Sequence, residues 1–173
     1  MYWSVGAPRR RPSKRKVERT FTVLNTGLLY LSLLLVWLGR TVPGPLGLLV
    51  VPQVITIEVA GTVFTIIGVT FAIWSRQLLS TNWSGVVAIT EGQQFIRSGP
   101  YAIVRHPIYT GMLLALFGTM LVASTLGSLL GFGLAILSLW QKAGVEEQFL
   151  IVEFGEKYIN YQREVKFLIP FLY

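Results

Sequence analysis

The sequence predicts an all-α integral membrane protein with about four transmembrane helices, and three observations carry that reading. Of 173 residues, 53% are hydrophobic and 13% charged, against roughly 25% charged in soluble domains. From Ile108 to Trp140 there is no Asp, Glu, Lys, Arg or His. The net charge of +7 is gathered at one end, where Arg9, Arg10, Arg11, Lys14, Arg15, Lys16 and Arg19 stand against Glu18, a net of +6 within residues 1–20. In a soluble chain such charge would point to nucleic acid. Ahead of an apolar run it reads as topology, with the N-terminus cytoplasmic by the positive-inside rule and attracted to anionic lipid.

The first apolar run, Phe21 to about Gly39, approaches the ~20 residues that span a bilayer and exceeds the roughly 7–15-residue core of a cleaved signal. It is expected to remain as the first transmembrane helix. Gly39-Arg40 and Pro43-Gly44-Pro45 end it, because proline removes a backbone donor and clashes with the preceding turn. Val54 to about Ser75 is apolar except for Glu58, which is expected near the outer interface, and forms the second span. Residues 76–107 then turn polar, with Arg76, Gln77, Asn82, Glu91, Gln93, Gln94, Arg97 and Arg105.

The 33 residues from Ile108 to Trp140 are too many for one ordinary span, and Ser124-Thr125-Leu126-Gly127-Ser128 lies at their centre. A helical hairpin with arms of about 16 residues follows, tilted or turning near the far interface. The spacings Gly127/Gly131 and Gly111/Ala115 suit close helix approach. Polar residues return from Gln141 onward. Helical spacing continues through Phe149, Ile151, Val152 and Phe154, Gly155 breaks it, and Tyr158 and Tyr161 share a face. The organisation is a basic cytoplasmic arm (1–20), two transmembrane helices (21–75), and a core (76–173) of cytoplasmic segment, hairpin and C-terminal cytoplasmic segment. Four spans bring both termini and both polar segments to one face.

Polar chemistry concentrates where the third helix begins. Pro107 suits a first helical turn, which leaves His106 just outside it. Free backbone N–H groups and the helix dipole there favour an anion and keep an imidazole neutral. Arg105 offers a fork for a carboxylate, and Tyr109 a phenol at the interface. Glu146 and Glu147 enter the same face from the hairpin's other arm, with Lys142 one turn before Glu146.

Taken together, Gly99-Pro100-Tyr101, Arg105-His106-Pro107, Tyr109 and Gly111, then a hairpin, then Glu146-Glu147, Leu150, Phe154-Gly155, Tyr158, Tyr161 and Ile169-Pro170 resemble the isoprenylcysteine carboxyl methyltransferase family, with parts shared by the related phospholipid methyltransferases. Leu78 to Ser84 resembles the family's Leu-Gly-x-x-Trp-Ser element. The resemblance covers about residues 76–170.

It implies S-adenosyl-L-methionine as methyl donor, bound at the cytoplasmic face under the C-terminal segment. By position, Gln93, Gln94, Phe95, Ile96, Tyr101, His106, Pro107 and Tyr109 would line the cofactor site, and Glu146, with Glu147 beside it, would bind from the other arm. Arg105, His106 and Lys142 are the residues expected at the chemistry. The family's acceptor-binding basic residue corresponds to Lys142, where the prenylcysteine enzymes carry arginine. No G-x-G-x-x-G element is present, so a Rossmann route to this cofactor is closed.

Transfer to a carboxylate needs no general base, whereas an amine or thiol acceptor would need one, for which His106 or a glutamate is the candidate. The expected acceptor is lipophilic and enters from the bilayer, with no nucleic acid or metal as partner. Two other readings stay open. One is an NADPH-dependent sterol-type reductase, whose Arg-His-Pro-Asn-Tyr element has asparagine where this chain has Ile108. The other is a non-enzymatic membrane scaffold.

Overall fold

The computed structural model describes residues 13–16, 19–41, 44–79, 88–90 and 95–169. Four helices form the body: α1 (Arg19–Thr41), α2 (Ile55–Leu79), α3 (Pro107–Ala123) and α4 (Leu126–Phe154), followed by the short α5 (Glu156–Glu164). Strand β1 (Ser13–Lys16) pairs antiparallel with β2 (Ala88–Thr90), with an irregularity between Ser13 and Arg15. That ribbon puts the segment before α1 beside the segment after α2. Thr20–Thr41, Ile55–Leu79 and Leu126–Phe154 are long and apolar enough to cross a membrane, and the apolar α3 is shorter at 17 residues. Apolar side chains as open as Leu24 (69%) and Ile55 (71%) line the outside, an arrangement that bilayer, not water, satisfies. The protein is an integral membrane fold whose body is helical.

Packing pairs the helices across the chain. Helix α3 lies chiefly against α2, and α4 against α1, although α3 and α4 are consecutive. Small residues set both seams. A Cβ on Gly118 would stand 2.6 Å from the Thr65 nitrogen, and one on Gly131 would stand 2.5 Å from the Ser32 carbonyl oxygen, so the backbones touch as in membrane helix pairs generally. On α1 the residues facing α4 are Asn25, Ser32, Val36 and Gly39. The Asn25 amide donates to the Ser138 carbonyl oxygen (2.8 Å), and the Ser138 hydroxyl donates back to the Asn25 carbonyl oxygen (3.1 Å).

The hairpin turn is two residues long. Ser124 takes a left-handed conformation (φ 58°) and returns its N–H to the Met120 carbonyl oxygen. Thr125 caps α4 in a reciprocal box with Ser128, satisfying backbone donors that a membrane interior would leave costly. The α1–α2 connection lies against this turn: Val50 N–H donates to the Ser124 carbonyl oxygen, Leu126 N–H to that of Leu48, and Arg40 to that of Val122.

The arms are unequal, contrary to the expected ~16 residues each: α3 has 17 residues and α4 has 29. Loss of apolarity at Gln141 does not end a helix. Nothing breaks this one until Gly155, at φ 55°, so α4 carries Glu146 and Glu147 beyond the apolar run on a rigid rod.

Candidate active site

Pro107 opens α3, and His106 precedes it at φ −121°, ψ 61°, outside the helical region. Before it, a 3-10 turn over Gly99–Ala102 buries Pro100 and Tyr101. The chain after α5 then runs back beside residues 104–110. Val104 bridges to Lys166, Arg105 N–H donates to the Lys166 carbonyl oxygen (2.8 Å), His106 N–H to that of Phe167 (3.2 Å), and the Thr110 hydroxyl to that of Leu168 (2.5 Å). Tyr161 donates to the Tyr101 carbonyl oxygen (2.5 Å), and the exposed Arg97 pairs with Glu164. Phe95, Phe154, Tyr158 and Tyr161 form an aromatic cluster beneath α5.

Glu147 is the hub of the arrangement. Its Oε1 accepts from Arg105 Nε (2.6 Å), His106 Nε2 (3.2 Å) and the Tyr158 hydroxyl (3.3 Å), and its Oε2 accepts from Gln162 Nε2 (2.7 Å). Arg105, offered by the sequence as a fork for a carboxylate, meets that carboxylate inside the protein. Its Nη1 also donates to the carbonyl oxygens of Val165 (2.6 Å) and Gln162 (3.1 Å), and its guanidinium lies 5.3 Å from the Phe167 ring centroid.

Glu146 has a different environment. Its Oε1 accepts from the Tyr109 hydroxyl at 2.5 Å, its Oε2 lies 3.6 Å from His106 Nδ1, and its side chain is 22% exposed against 13% for Glu147. The His106 and Tyr109 rings stack with centroids 5.7 Å apart, and Lys142 Nζ sits 5.5 Å from the Tyr109 centroid. The seven residues Tyr101, Arg105, His106, Tyr109, Lys142, Glu146 and Glu147 thus gather at one end of the helices.

The surroundings of His106 oppose the neutral imidazole expected from the helix start. Burial pushes His106 downward, but hydrogen bonds to Glu146 and Glu147, together with their charges, outweigh it and hold the imidazole above its ordinary value of 6.5. Both ring nitrogens thus face a carboxylate oxygen, Nδ1 that of Glu146 and Nε2 that of Glu147. Burial also pushes the Tyr101 phenol up, reinforced by the Glu146 charge and opposed by Arg76. Burial raises Tyr158 too, with Glu147 adding to it.

Of the remaining expected residues, Pro107 is buried behind His106 and Phe95 packs in the aromatic cluster, with Ile96 beside it partly buried. Gln93 and Gln94 lie outside the described residues, as does most of the Leu78–Ser84 element. Gln162 and Phe167 were not foreseen. The positions 158, 161, 162 and 165 recur at i, i+3, i+4 and i+7, so helical periodicity past Gly155 could have found Gln162.

The chain is similar to several methyltransferases. The methanethiol S-methyltransferase of Pseudomonas deceptionensis is 40% identical over 72 residues, 42% of this chain and 27% of that protein. Methanethiol S-methyltransferase 2 of Bradyrhizobium diazoefficiens is 45% identical over 86 residues, 47% of this chain and 31% of that protein. The protein-S-isoprenylcysteine O-methyltransferase of Xenopus laevis is 25% identical over 123 residues, 69% of this chain and 43% of that protein. The chain therefore matches less than half the length of each of these relatives. The fold is similar to that of the eukaryotic intramembrane Ras methyltransferase, isoprenylcysteine carboxyl methyltransferase, with a TM-score of 0.64 at 19% identity over 90% of this chain and 54% of the other. The sequence model of the phospholipid methyltransferase family matches residues 56–157, more than half of this sequence, and the chain belongs to that family.

Proposed function

We propose that this protein is an integral membrane methyltransferase that takes the methyl group of S-adenosyl-L-methionine and places it on a lipophilic acceptor, a carboxylate of the isoprenylcysteine type. The observation that carries the reading is the split between the two glutamates. Glu147 is saturated by Arg105, His106, Tyr158 and Gln162, while Glu146 keeps a more open carboxylate beside Tyr109. That donor set fits the methyl donor. A carboxylate suits its ammonium and ribose hydroxyls, and the stacked His106 and Tyr109 rings offer aromatic faces near a sulfonium. When bound, S-adenosylmethionine supplies an activated methyl group whose departure leaves a neutral thioether.

The protein's part is to bind, orient and exclude water. Glu146 and Tyr109 hold the donor, Pro107 and Tyr101 wall the pocket, and Glu147 with Arg105 clamps the C-terminal segment across it. His106, set between the two carboxylates, orients Glu146 through Nδ1 and Glu147 through Nε2. A carboxylate acceptor would need no general base, since it is already ionised at neutral pH. Lys142, over Tyr109, supplies the point charge for the acceptor. The termini and the site lie on the cytoplasmic side, by the charge of residues 1–20.

A small thiol acceptor is the second reading, favoured by the methanethiol S-methyltransferases that match this chain at 40% and 45%. Membranes containing the protein, given S-adenosylmethionine labelled in its methyl group, are offered farnesylcysteine or methanethiol. Base-labile label on farnesylcysteine is expected. Label in dimethyl sulfide supports the second reading, and transfer to neither, nor to extracted lipid, by folded protein overturns the enzymatic reading.

A further inference from the structure

Arg76 is a buried cation that the site described above does not use. It stands near the end of α2, is 5% exposed, and is more deeply buried than Arg105 or Lys142. Ionisable groups placed so deep at the end of a membrane helix are costly, and they mark substrate or ion sites more often than they decorate a surface.

The helix register says where it lies. Helices α2 and α3 run antiparallel with their small residues in contact: a Cβ on Gly61 would stand 2.7 Å from the Gly118 carbonyl oxygen, and one on Gly111 would stand 2.7 Å from the Ala72 nitrogen. Residues 61, 68, 72, 75 and 76 form the buried face of α2. One turn past Ala72 on α2 is one turn before Gly111 on α3, so Ser75 and Arg76 sit level with Pro107 and Ile108. The Ser75 carbonyl oxygen accepts from the Tyr101 hydroxyl at 3.4 Å, which places Tyr101 against this end of α2. The Tyr101 phenol is sensitive to both the Glu146 and the Arg76 charge. Tyr101 therefore lies with a carboxylate and a guanidinium both in electrostatic range.

We propose that Arg76 binds the carboxylate of the cofactor's amino-acid end, with Glu146 taking its ammonium. This deepens the reading of the site as one for S-adenosylmethionine and rests on it. A zwitterion needs one group of each sign, and Glu146 and Arg76 both act on Tyr101. Arg105 is consumed by Glu147 and two carbonyl oxygens, and Lys142 belongs to the acceptor side. A guanidinium carries five N–H donors in a planar fork, so one arginine can serve a protein neighbour and a ligand together. Bidentate pairing of Arg with a carboxylate is the strongest polar contact available to it.

The test compares S-adenosylmethionine with decarboxylated S-adenosylmethionine, which differ by that carboxylate alone, using binding calorimetry on the full chain in detergent. The wild type is expected to prefer the carboxylate-bearing compound by at least about tenfold, ~1.4 kcal/mol. Arg76→Gln is expected to bind both compounds alike, at the wild type's affinity for the decarboxylated one, and Arg76→Lys to recover part of the preference. A wild type without preference overturns the proposal with no variant needed. So does an Arg76→Gln protein that keeps the full preference, or one that loses affinity for both compounds in equal proportion, the signature of a structural role. Binding of neither compound by the wild type overturns the cofactor reading itself.

Discussion

Arg105 meets Glu147 through Nε at 2.6 Å, with the two side chains 12% and 13% exposed, and this one ion pair ties three separate stretches of chain together. Arg105 comes from the approach to α3, Glu147 from α4, and the carbonyl oxygens of Gln162 and Val165 from the C-terminal segment. Removing one partner leaves a buried charge uncompensated, which costs about 3–5 kcal/mol. Glu147→Ala is expected to lower the melting temperature sharply and to open residues 156–169 to proteolysis. Glu164→Gln, whose pair with Arg97 is 42% and 60% exposed, is expected to change stability by no more than about 1 kcal/mol. Thermal melts and limited proteolysis in detergent read both.

Tyr109 and Glu146 separate binding from folding. Tyr109→Phe removes a hydrogen bond to a carboxylate, worth roughly 1.5–3 kcal/mol before rearrangement, and leaves Glu146 in place. It is expected to weaken S-adenosylhomocysteine binding less than Glu146→Gln does, the latter by roughly tenfold or more. Calorimetric titration of both variants checks the order, and the reverse order would place the cofactor on the phenol.

The His106 titration predicts a pH dependence with a definite sign. Glu146 and Glu147 hold the imidazole above its ordinary value of 6.5 in spite of burial. The stability it contributes is complete below 6.5 and is lost as pH rises through the raised folded-state value. The difference in melting temperature between wild type and His106→Gln should therefore be largest at acid pH and shrink on the alkaline side. A difference that grows with pH would mean that the histidine is buried neutral.

Gly118 and Gly133 make opposite predictions from the same residue type. A Cβ on Gly118 would collide with Thr65 of α2, whereas Gly133 has no neighbour within 4 Å. Gly118→Val is expected to force α2 and α3 apart at a cost of about 1–3 kcal/mol or more. Gly133→Ala is expected to stabilise by roughly 0.5–1 kcal/mol through helix propensity alone. Melting of the two variants in one detergent decides both.

The sequence made the helices legible because bilayer thickness and proline fix them. The start of α3 at Pro107, the turn at Ser124 and the break at Gly155 all follow from local chemistry. The gathering of His106, Tyr109, Glu146 and Lys142 was also legible, since a hairpin must return its second arm to the first. What escaped was the commitment of polar groups to one another. Arg105 reads as an open fork until the C-terminal segment is seen to supply its acceptors, and nothing near Glu146 or Glu147 in sequence tells the two apart. Only the position of each carboxylate around the α4 axis against α3 and α5 does so. The pairing of α1 with α4 was hidden for a related reason: it depends on Asn25, Ser32, Val36 and Gly39 recognising a partner that periodicity alone does not name.

That pairing has a consequence for biosynthesis. Asn25 and Ser138, which complete each other's hydrogen bonds, are 113 residues apart, so the first helix leaves the ribosome long before its partner exists. Helices α2 and α3 can dock while the chain is still growing, but α1 waits in the bilayer with its polar seam open until α4 arrives. The order of birth thus differs from the order of assembly. The end that gathers Arg105, His106, Glu146 and Glu147, which needs α4 and the segment after it, cannot form before they do.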